Sequence, residues 1–441
     1  MKLFKMSVLA SLAALLVMGL TGSAFAFHDG GVAKCDGCHT MHNSKGGAVM
    51  TTDGVARGTV LVGNAYLLQG SDASSTCLGC HGKGTTLSSY HVATGVNTGY
   101  DGSTLPVQKT PGGDFSWLKT SLSSTDVITI ATEATNRHGH HIVAADYGYA
   151  AATMNAGIAP GGTYVAANLG CNSCHNPHNN LRGDGSSLPI SESGSYGDDP
   201  EVGTAAGVYR FLGGVGYKVP DDAVVFTAAP PVAVAPHTYN KADASTAAQV
   251  RVAYGSGMSE WCANCHAGIY NGDPSASTTH RHVASNAALL TTAAPLGEVP
   301  SAIYNGYVSS GNTSGGANAT AYLSLVPYEL GTTDTATLLG YVSDGATVGA
   351  HALEGPSLGT ENVMCLSCHR AHATGYDSMT RFENGQTFIT DPTGAYSYTD
   401  SATHEAAPDA TGYFLAANNG LPASTFSASQ RLLCNKCHAR D

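Results

Sequence analysis

The pattern Cys-x-x-Cys-His occurs six times in the chain, and its copies use all twelve cysteines. Cys35 and Cys38 precede His39, Cys77 and Cys80 precede His81, and Cys171 and Cys174 precede His175. Cys262 and Cys265 precede His266, Cys365 and Cys368 precede His369, and Cys434 and Cys437 precede His438. Two thiols at this spacing bond the vinyl groups along one edge of a porphyrin, and the adjacent imidazole lies beneath the iron as its proximal ligand. Each pentapeptide is therefore a complete attachment unit, and the expected cofactors are six c-type haems. Zinc ribbons also use paired Cys-x-x-Cys units, but zinc has no reason to demand a histidine after every pair. With 19 histidines in 441 residues, six such coincidences have a probability on the order of 10⁻⁸. A disulfide framework leaves the same histidines unexplained.

What fills the sixth position of each iron separates an electron carrier from an enzyme. Thirteen histidines remain beyond the six proximal ones: His28, His42, His91, His138, His140, His141, His178, His237, His280, His282, His351, His372 and His404. Bis-histidine haems are low-spin, low in potential and closed to substrate, whereas a methionine ligand would raise the potential. A multihaem oxyanion reductase needs an iron with an open position, often signalled by a non-histidine proximal residue, and all six motifs here end in histidine. The expectation is an electron carrier, with no catalytic residues. In the first, third and fifth motifs a second histidine follows three residues on, at His42, His178 and His372. If the motif opens a helical turn, residues three apart share one face. The second imidazole then cannot reach the far side of its own haem and must serve another iron.

The elements that position these residues are short ones. Charged residues make up 12% of the chain and aromatics 7%, with 54 glycines, a composition that offsets ordering entropy poorly unless the macrocycles themselves serve as core. Successive first cysteines stand 42, 94, 91, 103 and 69 residues apart, which excludes a regular solenoid. Intervening stretches such as 228–236 and 309–316 are rich in Gly, Ala, Pro and Ser, with little sustained periodicity. The expected fold class is mostly irregular coil, with short helices at the motifs and few strands, threaded by haems into a single domain. The apolar stretch 321–326 is left between strand and helix start. Lys2 and Lys5, the apolar run 8–20 and Ala24-Phe25-Ala26 read as a signal peptide over 1–26, leaving an exported domain over 27–441. No later stretch approaches a membrane span. The formal charge of −12 falls to roughly −14 without the leader, which disfavours nucleic-acid partners and suits cationic partners or mineral surfaces.

The segments Phe27 to Cys35, Val252 to Cys262, Cys365 to Phe382 and Leu433 to Ala439 closely resemble the OmcS-type family, the outer-surface hexahaem c-type cytochromes of Geobacter. All six motifs match in order, and the resemblance spans essentially the whole mature chain. It implies polymerisation into filaments, cytochrome nanowires, with a continuous haem chain, all six irons bis-histidine. Extracellular electron transfer follows, with redox partner cytochromes upstream and acceptors such as metal oxides outside the cell; the alternative is a monomeric periplasmic or surface shuttle. The resemblance further implies that His42 crosses the subunit boundary to the iron held by His369 of the next protomer. His28, His91, His140, His178, His282 and His372 lie in family-like contexts, making seven distal candidates with His42. His138, His141, His237, His280, His351 and His404 have no family role and are read as surface residues. The loops around 95–135, 335–360 and 383–430 depart from the family pattern.

Overall fold

The computed structural model describes residues 35–40, 44–45, 48–49, 56–57, 60–61, 66–82, 91–94, 106, 111–122, 128–130, 137–178, 209–234, 250–270, 282–293, 297–307, 316–344, 349–397, 423–426 and 428–438. The leader, His28, His42, His237, His280 and His404 lie outside them. Among the described residues no helix is long and apolar enough to cross a membrane.

Regular structure is sparse and clusters on the cysteine motifs. Helices α1 (Cys35–Cys38), α2 (Ala73–His81), α3 (Cys171–Cys174), α4 (Met258–His266) and α7 (Cys365–Cys368) each carry one motif, and a 3-10 turn over Leu433–Lys436 carries the sixth. Two further helices, α5 (Pro300–Gly306) and α6 (Thr335–Leu339), carry none. Proline at the first turn of α5 costs no hydrogen bond, because the N–H it lacks would have had no helical partner. In α6 the side chain of Asp334 caps the start by accepting the Thr337 N–H at 2.9 Å.

The strands pair two by two, antiparallel throughout: β1 (Ser44–Lys45) with β2 (Ala48–Val49), β3 (Ala56–Arg57) with β4 (Val60–Leu61), and β5 (Thr120–Leu122) with β6 (Ile128–Ile130). In addition β7 (Val232–Val234) pairs β9 (Ala253–Ser256), and β8 (Val250–Arg251) pairs β10 (Ser343–Asp344). Val232–Val234 lies inside a Pro- and Ala-rich stretch that reads as linker, and β9, which leads directly into α4, gives it a partner.

Among the described residues four apolar clusters, rather than one, fill the gaps. The largest packs Leu290, Tyr304, Leu323, Tyr328, Leu338 and Leu433, with Cys434 and Cys437 against its edge. The others gather around Phe115 and Trp117, around Tyr254 and Met364, and around Tyr164 and Phe226, touching Cys171, Cys174 and Cys262, and Cys265 respectively. Each cluster thus abuts a motif. Residues 321–326 are neither strand nor helix: they run as irregular, wholly buried chain through the largest cluster. A buried cation anchors that region. Arg251 donates to the carbonyls of Ala352 (2.9 Å) and Glu354 (3.1 Å) and lies 3.6 Å from the ring centre of Tyr322.

Candidate haem sites

The five helical motifs fall into two structural kinds, and the sixth stands apart on its 3-10 turn. Helix α2 starts where Asp72 accepts the Ser75 N–H at 2.7 Å and runs through His81, so its proximal histidine is the last helical residue. Helix α4 likewise includes His266 and begins at Gly257, whose φ of 96° suits glycine alone, with the Glu329 carboxylate accepting the Met258 N–H at 2.8 Å. In the third and fifth motifs the helix stops at the second cysteine. His175 (φ −102°, ψ 129°) and His369 (φ −111°, ψ 159°) are already extended.

What stops the odd helices is a shared device. His39, His175 and His369 form isolated antiparallel bridges with Leu68, Leu212 and Thr380. Each bridge follows a turn in which non-glycine residues sit in the left-handed region: Leu67 (φ 53°), Arg210 and Phe211 (51° and 56°), and Ser378 and Met379 (57° and 59°). The turn aims a carbonyl at the proximal imidazole. Nδ1 of His39 contacts the Tyr66 carbonyl at 2.9 Å, that of His175 the Arg210 carbonyl at 2.7 Å, and that of His369 the Ser378 carbonyl at 2.9 Å. A carbonyl only accepts, so Nδ1 carries the proton and Nε2 keeps its lone pair for a metal. His266 obtains the same arrangement from Pro160 (2.9 Å), His140 from Ala371 (2.8 Å) and His282 from Val283 (2.9 Å). The expectation of a helical turn continuing past the histidine is therefore corrected for the third and fifth motifs. Bridge hydrogen bonds capture the backbone where the helix would have continued.

Neighbouring motifs are pinned together. The Ser74 Oγ on α2 accepts the Cys171 N–H at 3.1 Å, and the Ser259 Oγ on α4 accepts the Cys365 N–H at 3.0 Å. The sulfur of Cys77 lies beside that of Cys171, and the sulfur of Cys262 beside that of Cys365. The attachment edges of the second and third sites, and of the fourth and fifth, are thus in contact.

The histidines stand in opposed pairs. Ring centres lie 6.0 Å apart for His39 and His178, 6.3 Å for His175 and His372, 5.9 Å for His266 and His140, and 5.9 Å for His438 and His282. Two imidazoles on opposite sides of one metal, each bonded at about 2 Å, have ring centres about 6 Å apart. The residues fit a six-coordinate haem iron at each pair. His91 lies beside His81, which adds to the downward push that burial exerts on its pKa, and the Val92 N–H donates to the His81 carbonyl at 2.8 Å. Among the described residues no histidine ring is opposed to His369 in this way. The second histidine of the third motif faces the imidazole of the first, and that of the fifth faces the third.

For six of these histidines burial favours the neutral form, the one that binds metal. It pushes His140 down to about 4, with His266 adding to the effect, and His372 down to about 3, with His175 adding. Burial is also the leading cause of the lowered values of His175, His282 and His369. Phe115 stacks on His372 with ring centres 4.6 Å apart. Of the histidines read as surface residues, His351 is exposed and contacts the Glu354 carboxylate at 2.9 Å. His141 is not: it is only 4% exposed, because the extended run around it is held between the Gly139–Ala373 bridge and the buried Ile142 and Ala144. His138 is half-buried, with Nδ1 on the Trp117 carbonyl at 3.2 Å. The acceptor carbonyls, the left-handed turns and the two serine pins have no motif to mark them, since the backbone does most of that work.

No protein-family model matches the chain. It is 46% identical over 451 residues to the C-type cytochrome OmcS of Geobacter sulfurreducens, spanning 99% of each protein. Two solved structures share its fold, each 43% identical and covering 94% of this chain and 100% of the other. They are the OmcS nanowires from Geobacter sulfurreducens seen by cryo-EM (TM-score 0.75) and the outer membrane cytochrome S filament from the same organism (TM-score 0.73).

Proposed function

Because the chain belongs to the OmcS family of c-type cytochromes, we propose that it is an exported electron carrier that polymerises into a conductive extracellular filament. The leader 1–26 directs export, and the domain 27–441 carries six haems. The twelve cysteines hold them as thioethers, with His39, His81, His175, His266, His369 and His438 as proximal ligands. His178, His91, His372, His140 and His282 are the distal ligands of the first, second, third, fourth and sixth sites. A bound haem supplies one-electron transfer between ferric and ferrous iron. The chain supplies spacing, ligation and exclusion of substrate.

The observation that carries this reading is the order of the opposed imidazoles. The second histidine of each odd motif reaches back to the preceding odd motif: His372 to His175, and His178 to His39. His42 has no earlier motif within its own chain, and His369 has no opposed ring among the described residues. Donation by His42 to the His369 site of a neighbouring copy completes both. Such a contact is heterologous, so repetition without closure makes a filament. His28 is then not required as a ligand. Upstream cytochromes donate electrons, and extracellular solids such as metal oxides accept them.

Cryo-electron microscopy of the mature, haem-loaded protein tests this. The expected result is an ordered filament with His42 of one subunit on the fifth haem of the next. Dispersed particles with six low-spin haems would instead make the protein a shuttle.

A further inference from the structure

The three odd modules share a backbone turn but carry different side chains on it. The residue after each bridge donates its N–H to the carbonyl of the motif's second cysteine: Gln69 to Cys38, Gly213 to Cys174 and Arg381 to Cys368, each at 2.8 Å. At equivalent places stand a neutral amide, no side chain and a guanidinium. Arg381 is only 1% exposed. Its Nε donates to the carbonyls of Leu366 (2.6 Å) and His369 (3.1 Å), and its Nη1 to that of Ser324 (3.3 Å). It therefore grips the fifth motif on both sides of its second cysteine and ties it to the largest apolar cluster.

A guanidinium stays protonated even when buried. Its charge stands beside the proximal residue, with Nε on the His369 carbonyl at 3.1 Å. Reduction of a haem takes one electron from a neighbouring ferrous iron, which becomes ferric, and lowers the net positive charge at the accepting site by one. A fixed cation in a low-dielectric interior favours that reduced state. We propose that Arg381 is a positioning residue that locks the fifth motif and sets the potential of its haem above that of the first, whose module has the neutral Gln69 at the same place. The proposal rests on the haem-loaded, bis-histidine reading given above. It places an electron-attracting step at the joint between subunits, where His369 awaits its partner.

The test begins with haem content and electron paramagnetic resonance of the assembled protein. Fewer than six haems, or resting high-spin signals, would count against the underlying reading rather than against Arg381. Spectroelectrochemical titration then compares wild type with Arg381→Gln, Arg381→Lys and Gln69→Arg. Arg381→Gln should shift one of six potentials negative by at least about tenfold in equilibrium constant, or 59 mV for a one-electron couple. Arg381→Lys should retain most of the charge effect, and Gln69→Arg should move a different haem positive. Six unchanged potentials in a folded, fully haem-loaded Arg381→Gln protein would overturn the proposal. So would equal shifts in the Gln and Lys variants, which would mean that shape rather than charge matters. If Arg381→Gln does not fold, Gln69→Arg decides alone: a positive shift upholds the charge effect, and none refutes it.

Discussion

The imidazole of His178 lies 6.0 Å from that of His39, ring centre to ring centre, with the two planes inclined by 15°. These residues belong to different motifs, and the relationship recurs between His372 and His175 at 6.3 Å. The second histidine of an odd motif is therefore a strut between modules, reaching across because the extended backbone after the proximal histidine leads it away from its own helix.

Struts inside a subunit and struts between subunits should fail differently. His178→Ala should convert one low-spin haem to high-spin while leaving filaments intact. His42→Ala should produce one high-spin haem and abolish filaments. Electron paramagnetic resonance combined with microscopy reads both properties, and filaments persisting in His42→Ala with six low-spin haems would remove His42 from the joint.

Phe115 is buried and stacks on His372. Phe115→Ala should cost about 3–5 kcal/mol through lost burial and the cavity left behind. It should also alter the resonance envelope of one haem, because the His372 ring loses the wall that sets its orientation. A denaturation midpoint matching wild type would show that the neighbouring aromatic residues compensate.

Gly162 sits where a backbone must pass close to the fourth motif. A Cβ there would lie 1.8 Å from the Cys265 carbonyl oxygen, and the adjacent Gly161 has φ 67°. In Gly162→Ala the turn must retreat, withdrawing the Pro160 carbonyl from Nδ1 of His266. The expected loss of stability is about 1–3 kcal/mol. An imidazole without that acceptor is a weaker donor and stabilises ferric iron less, so one potential should rise. Potentiometry that finds no haem shifted would argue against this role for Pro160.

Glu329 is fully buried, and burial pushes its carboxyl up to about 8. One oxygen accepts the Met258 N–H, while the other is buried without a hydrogen-bond partner. Between the ordinary carboxylate pKa of about 4.3 and this raised value, the folded state binds more protons than the unfolded one, so stability falls as pH rises through that window. The full loss, on the order of several kcal/mol, is reached only above the raised pKa. Glu329→Gln should flatten the dependence. Denaturant midpoints of both proteins at pH 5, 7 and 9 should diverge most at pH 9.

The candidate sites were legible as six repeats of two thiols and an imidazole at one spacing, and four of those imidazoles face a second histidine ring in the structure. The coil-rich architecture followed from low aromatic and charged content. Pairing of the distal histidines was not legible from spacing, since His175 and His372 meet across a sequence separation of 197 in a chain with no short repeat. The difference between odd and even motifs was half visible in the second histidine. Its cause was invisible, because Leu67, Arg210, Phe211, Ser378 and Met379 occupy left-handed conformations that their side chains do not favour. The burial of His141 escaped for a related reason: tertiary packing on both sides of an extended run leaves no alternation to read.

The backward reach of the odd motifs also imposes an order on biogenesis. The ring opposed to His39 belongs to His178, which leaves the ribosome 139 residues later, and the ring opposed to His175 arrives 197 residues after it. Early modules remain unfinished until later ones emerge, and the last odd module, on the proposed reading, is completed only by a neighbouring copy. If a neighbouring copy's His42 completes the His369 site as proposed, polymerisation is the final act of maturation, and a lone subunit is an intermediate.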